Sequence, residues 1–129
     1  MTYSFEQVIA WQKAHSFVLM VYKITSHFPE DERFGLTSQF RRAAISIEAN
    51  IAEGYKKLSK TDKLRFYNIA QGSLEECRDY HLLSRDLGFI DNAEFEKLHT
   101  GIEETSKFLN LYSKAIVENK RLIEESRNV

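Results

Sequence analysis

RRAAISIEANIAEGY, residues 41–55, reads as a helix that packs by closeness rather than by bulk. Phe40, Ala44, Ile47, Ile51, Gly54 and Leu58 are spaced alternately by four and three, which places one stripe of a helix over about 36–58 against a core. Around that stripe Ala43, Ser46, Ala49 and Ala52 leave little bulk on the rest of the circumference. A glycine inside a helix costs about 1 kcal/mol relative to alanine, so Gly54 calls for a compensating contact, and a closely approaching neighbour is the plainest.

That neighbour is legible further on. IAQGSLEE, residues 69–76, again offers small side chains at Ala70, Gly72 and Ser73, so the pattern predicts a tight seam between two helices with Gly54 and Gly72 both inside it, the alternative being that either glycine marks a helix end or kink. Arg41, Arg42, Glu48, Asn50, Glu53, Glu75 and Glu76 lie near this seam, where they are solvated, paired, or covered by another copy of the chain. Ile45 shares a face with Arg41, Glu48 and Ala52, and an apolar residue there points to cover by a partner copy, with a solvated outer face as the plain alternative.

The same spacing continues in both directions. Before the seam, Ala10, Ala14, Phe17, Val21, Ile24 and Phe28, widened by Trp11, Val18 and Tyr22, predict a helix over about 5–27. Ser4 with Gln7 reads as its capping box, and Pro29 as its stop. After the seam, Ser59 or Thr61 opens a helix over about 61–87 carrying Phe66, Ala70, Ser73, Cys77, Tyr80 and Leu87, with Ile69, Leu74 and Leu83 beside them. Gly88 ends it. Asp91 with Glu94 forms another capping box for a helix over about 91–125. Its stripe is Phe95, Leu98, Ile102, Thr105, Leu109, Tyr112, Ile116 and Ile123, with Phe108, Leu111, Ala115 and Leu122 as a second row. Connections of roughly three to eight residues make neighbours antiparallel, so residues 1–129 are expected to form one all-α domain, an up-down-up-down antiparallel four-helix bundle.

Composition agrees. The chain has 129 residues, 43% hydrophobic and 29% charged, with one proline and five glycines, which leaves little sequence for turns. A net charge of -1 gives no overall attraction to nucleic acid, so binding of RNA or DNA requires a local patch. The single cysteine, Cys77, forms no internal disulfide, and MTYSFEQVIAWQKAHSF lacks the charged start and apolar run of a secretory signal. A cytoplasmic location is expected. Charges interrupt every candidate helix well before the ~18 apolar residues of a membrane span, so no membrane association is expected either.

The best nucleic-acid patch is YKKLSKTDKLRFY, residues 55–67, where Lys56, Lys57, Lys60, Lys63 and Arg65 face only Asp62 and are flanked by Tyr55, Phe66 and Tyr67. Cations with interleaved aromatics suit a phosphate backbone and stacked bases, although lysines favour a solvated tip in any case. A di-metal carboxylate bundle needs Glu-x-x-His from two helices, and only Glu96-Lys97-Leu98-His99 has that spacing. His15, His27 and His81 occur singly and read as boundary residues. Cys77 sits in a core stripe as a packing thiol, and Gly35, Gly54, Gly72, Gly88 and Gly101 are too scattered for a phosphate loop. The carboxylates Glu48, Glu53, Glu75 and Glu76 are accounted for by pairing with Arg41, Arg42 or Arg78. No catalytic residue, metal ligand or cofactor is assigned.

RRAAISIEANIAEG followed by IAQGSLEE resembles the family of small bacterial four-helix-bundle proteins found in 23S rRNA intervening sequences. The likeness spans nearly the whole chain and includes Trp11, Tyr22, the loop proline, the Leu87-Gly88-Phe89-Ile90 turn and a long final helix. It implies a left-handed bundle that assembles into a ring, a homopentamer. A related branch, the accessory variability determinant proteins of diversity-generating retroelements, uses such a ring to bind nucleic acid and a reverse transcriptase, but is strongly basic where this chain is slightly acidic. The resemblance carries over Arg41, Arg42, Ser46, Asn50, Glu53, Gly54, Gly72, Ser73 and Glu76 as assembly or motif positions. The expected function is that of a non-enzymatic, self-assembling protein with a nucleic-acid or protein partner. The alternatives are an RNA-binding accessory factor acting through the basic hairpin, and a di-metal carboxylate enzyme.

Overall fold

The computed structural model describes residues 4–118. Its main elements are four helices, α1 (Ile9–Thr25), α2 (Leu36–Lys56), α3 (Lys60–Asp86) and α4 (Asn92–Glu118), with single 3-10 turns at Phe5–Gln7 and Glu30–Glu32 and no strand among the described residues. The chain is an all-α four-helix bundle. Each helix packs against the next in sequence, and α1 closes the set by packing on α4. Contacts across three of these boundaries join His15 with Glu48 and Thr25 with Arg41, Gly54 with Lys63 and Ser46 with Ser73, and Gln71 with Asn110 and Arg78 with Glu103.

The ends of the helices follow local chemistry at most of the predicted places. Asp91 and Glu94 exchange bonds, each backbone N–H donating to the other's carboxylate at 2.9 and 2.8 Å. The Ser59 hydroxyl accepts from the Asp62 N–H at 3.1 Å. Gly88 adopts φ +77°, and the Phe89 N–H then returns to the Ser84 carbonyl at 2.9 Å, closing α3.

The first helix departs from expectation. Ser4 makes no cap; its hydroxyl donates to the Glu6 carboxylate at 3.4 Å, and Val8 is extended (φ -77°, ψ 121°) before α1 begins at Ile9. The break turns the β-branched Val8 into the core, where it is 8% exposed, and Gln12 Nε2 takes up the Glu6 carbonyl at 2.9 Å. At the other end α1 stops at Thr25, short of 27. The second helix ends at Lys56, so Leu58 is fully exposed in the linker instead of completing the stripe. The stretch of the last helix expected beyond Glu118, with Leu122 and Ile123, lies outside the described residues.

A second correction concerns which side of α3 faces inward. Its buried row is Tyr67, Ala70, Leu74, Cys77, His81 and Ser84, with Ser73 beside it. The apolar stripe read from the sequence fails at five points, since Phe66 and Tyr80 are only partly buried and Ile69, Leu83 and Leu87 are exposed. The polar members are tolerated inside because their hydrogen bonds are made: Ser84 Oγ donates to the Tyr80 carbonyl at 2.7 Å, and His81 Nε2 lies 2.9 Å from the Phe95 carbonyl. Elsewhere Tyr22 of α1 and Leu111 of α4, expected in apolar rows, are exposed, while Phe17, Phe40, Ile47, Ile51, Leu98, Ile102 and Leu109 are almost wholly enclosed. Cys77 is buried among them, and burial pushes its thiol well above the ordinary range, which suits packing and disfavours a nucleophilic thiolate. No helix among the described residues is long and apolar enough to cross a membrane.

Candidate functional site

The α2–α3 seam is built around Gly54. A methyl group there would lie 2.5 Å from Cε1 of Tyr67 and 3.1 Å from Cβ of Phe66, so the glycine admits an aromatic ring rather than a neighbouring backbone. Tyr67 is 1% exposed, and its ring lies 5.1 Å from that of Tyr112, so the seam leads into the core of the bundle. Burial, then the neighbouring Tyr112, pushes the Tyr67 hydroxyl far upward.

Two turns along, the helices exchange polar contacts. Ser73 Oγ donates to Ser46 Oγ at 2.8 Å, and Asn50 Nδ2 donates to the same Ser46 hydroxyl at 3.0 Å and to the Ser46 carbonyl at 2.8 Å. Ser46, Asn50 and Ser73 are therefore brought together, and they pin α2 to α3 at one height.

Gly72 is not part of the seam. It is exposed, and a methyl group added there would meet nothing within 4 Å. It lies one residue from Ser73, and at ~100° per residue that step carries it to the outward side of α3. Ile69, Glu76 and Leu83 share that side at helical spacing, and Arg42, Ala49 and Glu53 line the outward side of α2. All are exposed, with Ile69 and Leu83 at 44% and 42%. Among the described residues neither Arg42 nor Glu53 forms a hydrogen bond or ion pair.

The expected pairing of seam carboxylates with seam arginines is only partly found. Arg41 turns towards α1, where Nε donates to Thr25 Oγ1 at 2.9 Å, Nη2 donates to the Tyr22 carbonyl at 3.3 Å, and the guanidinium lies 4.4 Å from the Tyr22 ring. A cation at a helix C-terminus complements the helix dipole and its open carbonyls. Glu48 also faces α1, 3.0 Å from His15 Nδ1, and His15 is stacked on Trp11 at 4.7 Å. Glu75 does pair with Arg78, at 2.9 Å, but this contact belongs to the α3–α4 side, where Arg78 also holds Glu103. The hydrogen bond from Arg78 keeps the Glu103 carboxyl below the usual carboxylate range.

The basic hairpin is partly consumed by the fold. Lys63 Nζ donates to the Tyr55 and Gly54 carbonyls at 2.7 and 3.3 Å, capping α2, and burial lowers its pKa. Lys60 Nζ donates to the Val117 carbonyl at 3.1 Å. Lys57 and Arg65 both lie over the Phe66 ring, at 5.0 and 4.9 Å, with Arg65 3.8 Å from Asp62. Lys56 is exposed. Tyr67, expected as a stacking platform, is in the core. Lys57 and Arg65 on one half-buried ring, with the exposed Lys56, remain for an outside ligand.

Among the described residues no group of three or more His, Cys, Asp or Glu side chains is placed to hold a metal ion. Sequence reasoning missed one cluster: His81 is 3% exposed, and its ring stacks on Phe95 at 4.1 Å beside His99. The available signals were the i,i+4 pair Phe95 and His99 and the seven-residue step from Leu74 to His81.

Four helices in this order, locked by an aromatic ring seated on a glycine and bearing an open outer face, define a small four-helix-bundle protein. The chain belongs to the 23S rRNA-intervening sequence protein family, whose profile matches residues 6–111. It is similar to a solved structure from Bacteroides thetaiotaomicron VPI-5482, described as a protein with unknown function from the S23 ribosomal protein family. The two are 25% identical with a TM-score of 0.72, over 81% of this chain and 98% of that one. Comparison with curated proteins gives no match. Neither the family description nor that of the neighbour names a catalytic activity.

Proposed function

We propose that this protein is a non-enzymatic, cytoplasmic bundle protein that assembles with copies of itself into a ring-like homo-oligomer, a pentamer, through the outward face of α2 and α3. The observation that carries this reading is Gly72, an exposed glycine in the interior of a long helix with empty space beside it. In an isolated protomer such a glycine costs about 1 kcal/mol and serves no contact. Against a second copy it allows close approach, and the surrounding residues fit that use. Ile69 and Leu83 would lose water at about 25 cal/mol per Å², and the unpaired Arg42 and Glu53 offer opposite charges to a neighbour.

Sedimentation equilibrium at micromolar concentration tests the proposal. The wild type is expected to sediment as a multiple of 15.1 kDa, and Gly72→Leu as the 15.1 kDa protomer with unchanged helicity. Because a side chain at 72 meets nothing within the protomer, loss of assembly would not be a folding defect. A wild type that sediments at 15.1 kDa would end the proposal.

A second reading is favoured by Lys57 and Arg65 flanking Phe66, with Lys56 nearby: the hairpin holds RNA by phosphate contact and stacking. Copies of the hairpin on one rim of a ring would multiply a weak site. A mobility shift with structured RNA, weakening as salt rises and lost in Lys56→Ala/Lys57→Ala, is the expected result. The absence of any shift at low salt overturns it.

A further inference from the structure

The α3–α4 boundary carries a cleft of about 320 Å³ lined by Arg78, His81, Leu82, Phe95, Glu96 and His99. A volume of this size is at the small end of ligand pockets, room for one or two fused rings and a sugar but not for a large cofactor. The walls are aromatic and aligned. Phe95 and His99 are parallel to within 6°, and His81 lies within 25° of both. The ring centroids are 4.1, 6.3 and 6.5 Å apart, which makes a triangle, so His99 stands beside the His81–Phe95 pair instead of extending it as a column. Phe95 is occupied by His81 and by the Arg85 guanidinium at 5.3 Å. His99 is exposed with no ring nearer than 6.3 Å, so it is the stacking surface left for a ligand.

The polar groups at the edge are of two kinds. Arg78 is fixed by Nε on Glu75 and Nη1 on Glu103, which leaves Nη2 with two N–H groups and no acceptor among the described residues. Glu96, from the other helix, brings an exposed carboxylate with no ion pair among the described residues. A planar ligand that satisfies both must show acceptors along one edge and donors along another.

We infer that this cleft binds a guanine ring, stacked on His99, with its O6 accepting from Arg78 Nη2 and its N1–H and N2 amino donors towards the Glu96 carboxylate. Guanine is the base that sets a carbonyl acceptor beside two N–H donors able to meet a carboxylate. Adenine presents a bare N1 where the carboxylate lies, and a pyrimidine covers less of the imidazole. Stacking of a base on an aromatic side chain does not select the base, so selection falls to Arg78 and Glu96. His81 supports the site from behind, where burial keeps its ring neutral at pH 7 and its Nε2 is held by the Phe95 carbonyl.

The test uses the full chain, with the His99 and Phe95 ring protons followed by NMR as GMP, AMP, CMP and UMP are added in turn. GMP is expected to shift both residues and to bind about tenfold more tightly than the others, a difference of ~1.4 kcal/mol. Glu96→Gln should remove the preference for GMP, because an amide meets adenine's donor and acceptor as readily as guanine's donors, and His99→Ala should weaken all four nucleotides. Both side chains are exposed, and equal melting temperatures would show that the fold is intact. Adding the tetranucleotide UUGU, with UUUU as control, separates the sources of the ring. Tighter binding of UUGU than of GMP assigns the site to an unpaired guanine in RNA, and equal binding assigns it to a free nucleotide. No shift with either GMP or UUGU at about 10 mM, or a preference for GMP that survives Glu96→Gln, overturns the inference. Hairpin binding would be strongly salt-dependent and indifferent to the base, so the two sites fail separately.

Discussion

Gly54 and Gly72 sit in adjacent helices of one seam-forming pair and look alike in the sequence, yet their surroundings are opposite. Gly54 is buried under the Tyr67 ring, 2.5 Å from where a side chain would begin. Gly72 faces open space. The inner glycine is required by the protomer, whereas the outer one acquires a reason only when something outside the protomer is considered. The helix penalty is the same at both positions, so what distinguishes them is which contact offsets it.

The largest expected effect breaks the inner half of this pair. In Gly54→Ala the new methyl meets Tyr67, which cannot retreat because it is almost fully enclosed and backed by Tyr112. Overpacking of a rigid core costs about 1–3 kcal/mol, at the upper end here, and outweighs the gain in helix propensity. Chemical denaturation should show a net loss of about 2 kcal/mol, and a variant as stable as wild type would mean that the ring is free to move. Next in size is Ser73→Ala, which removes the donor to Ser46 while leaving Asn50 in place. A loss of about 1 kcal/mol is expected, with no change of helicity. The outer half gives the opposite sign: Gly72→Ala should stabilise the dissociated protomer by about 0.5–1 kcal/mol, read at a dilution where the oligomer has separated. If Gly72→Ala destabilised the protomer as Gly54→Ala does, the contrast between inner and outer faces would be lost.

The same contrast explains how much could be read without coordinates. Helix ends set by neighbours in sequence were legible, as at Ser59, Gly88 and the Asp91–Glu94 box. Ser4 was not, because Val8 takes an extended conformation to reach a core that the local sequence does not describe. The inner row of α3 was misjudged where polar residues occupy it: His81 and Ser84 are buried only because acceptors at Phe95 and Tyr80 are in place, and apolar spacing is blind to that. The misplacement of Gly72 has the same origin, since its exposure follows from which residues of α3 are inside. In the hairpin, counting charges overlooked the carbonyls at the ends of α2 and α4 that take up Lys63 and Lys60. The cleft could not be seen at all, because His81 meets Phe95 and His99 only through packing of α3 on α4.

His81 also yields the smallest of these effects, a slope with pH rather than a loss on mutation. Burial is the main influence on its ring and lowers its pKa below the ordinary 6.5, with the nearby His99 and Arg85 acting in the same direction. The Phe95 carbonyl and Glu96 oppose this without cancelling it. The unfolded chain therefore takes up a proton at this position at a higher pH than the folded one does. Stability from this group is complete above about pH 6.5 and falls as the pH is lowered towards the folded value. Glu103, held down by Arg78, adds a second decline, beginning below its ordinary 4.5. Urea midpoints measured between pH 7.5 and 3.5 should therefore fall in two stages. His81→Gln should flatten the upper stage and Glu103→Gln the lower one. If the upper stage survived in His81→Gln, the buried imidazole would not be its source.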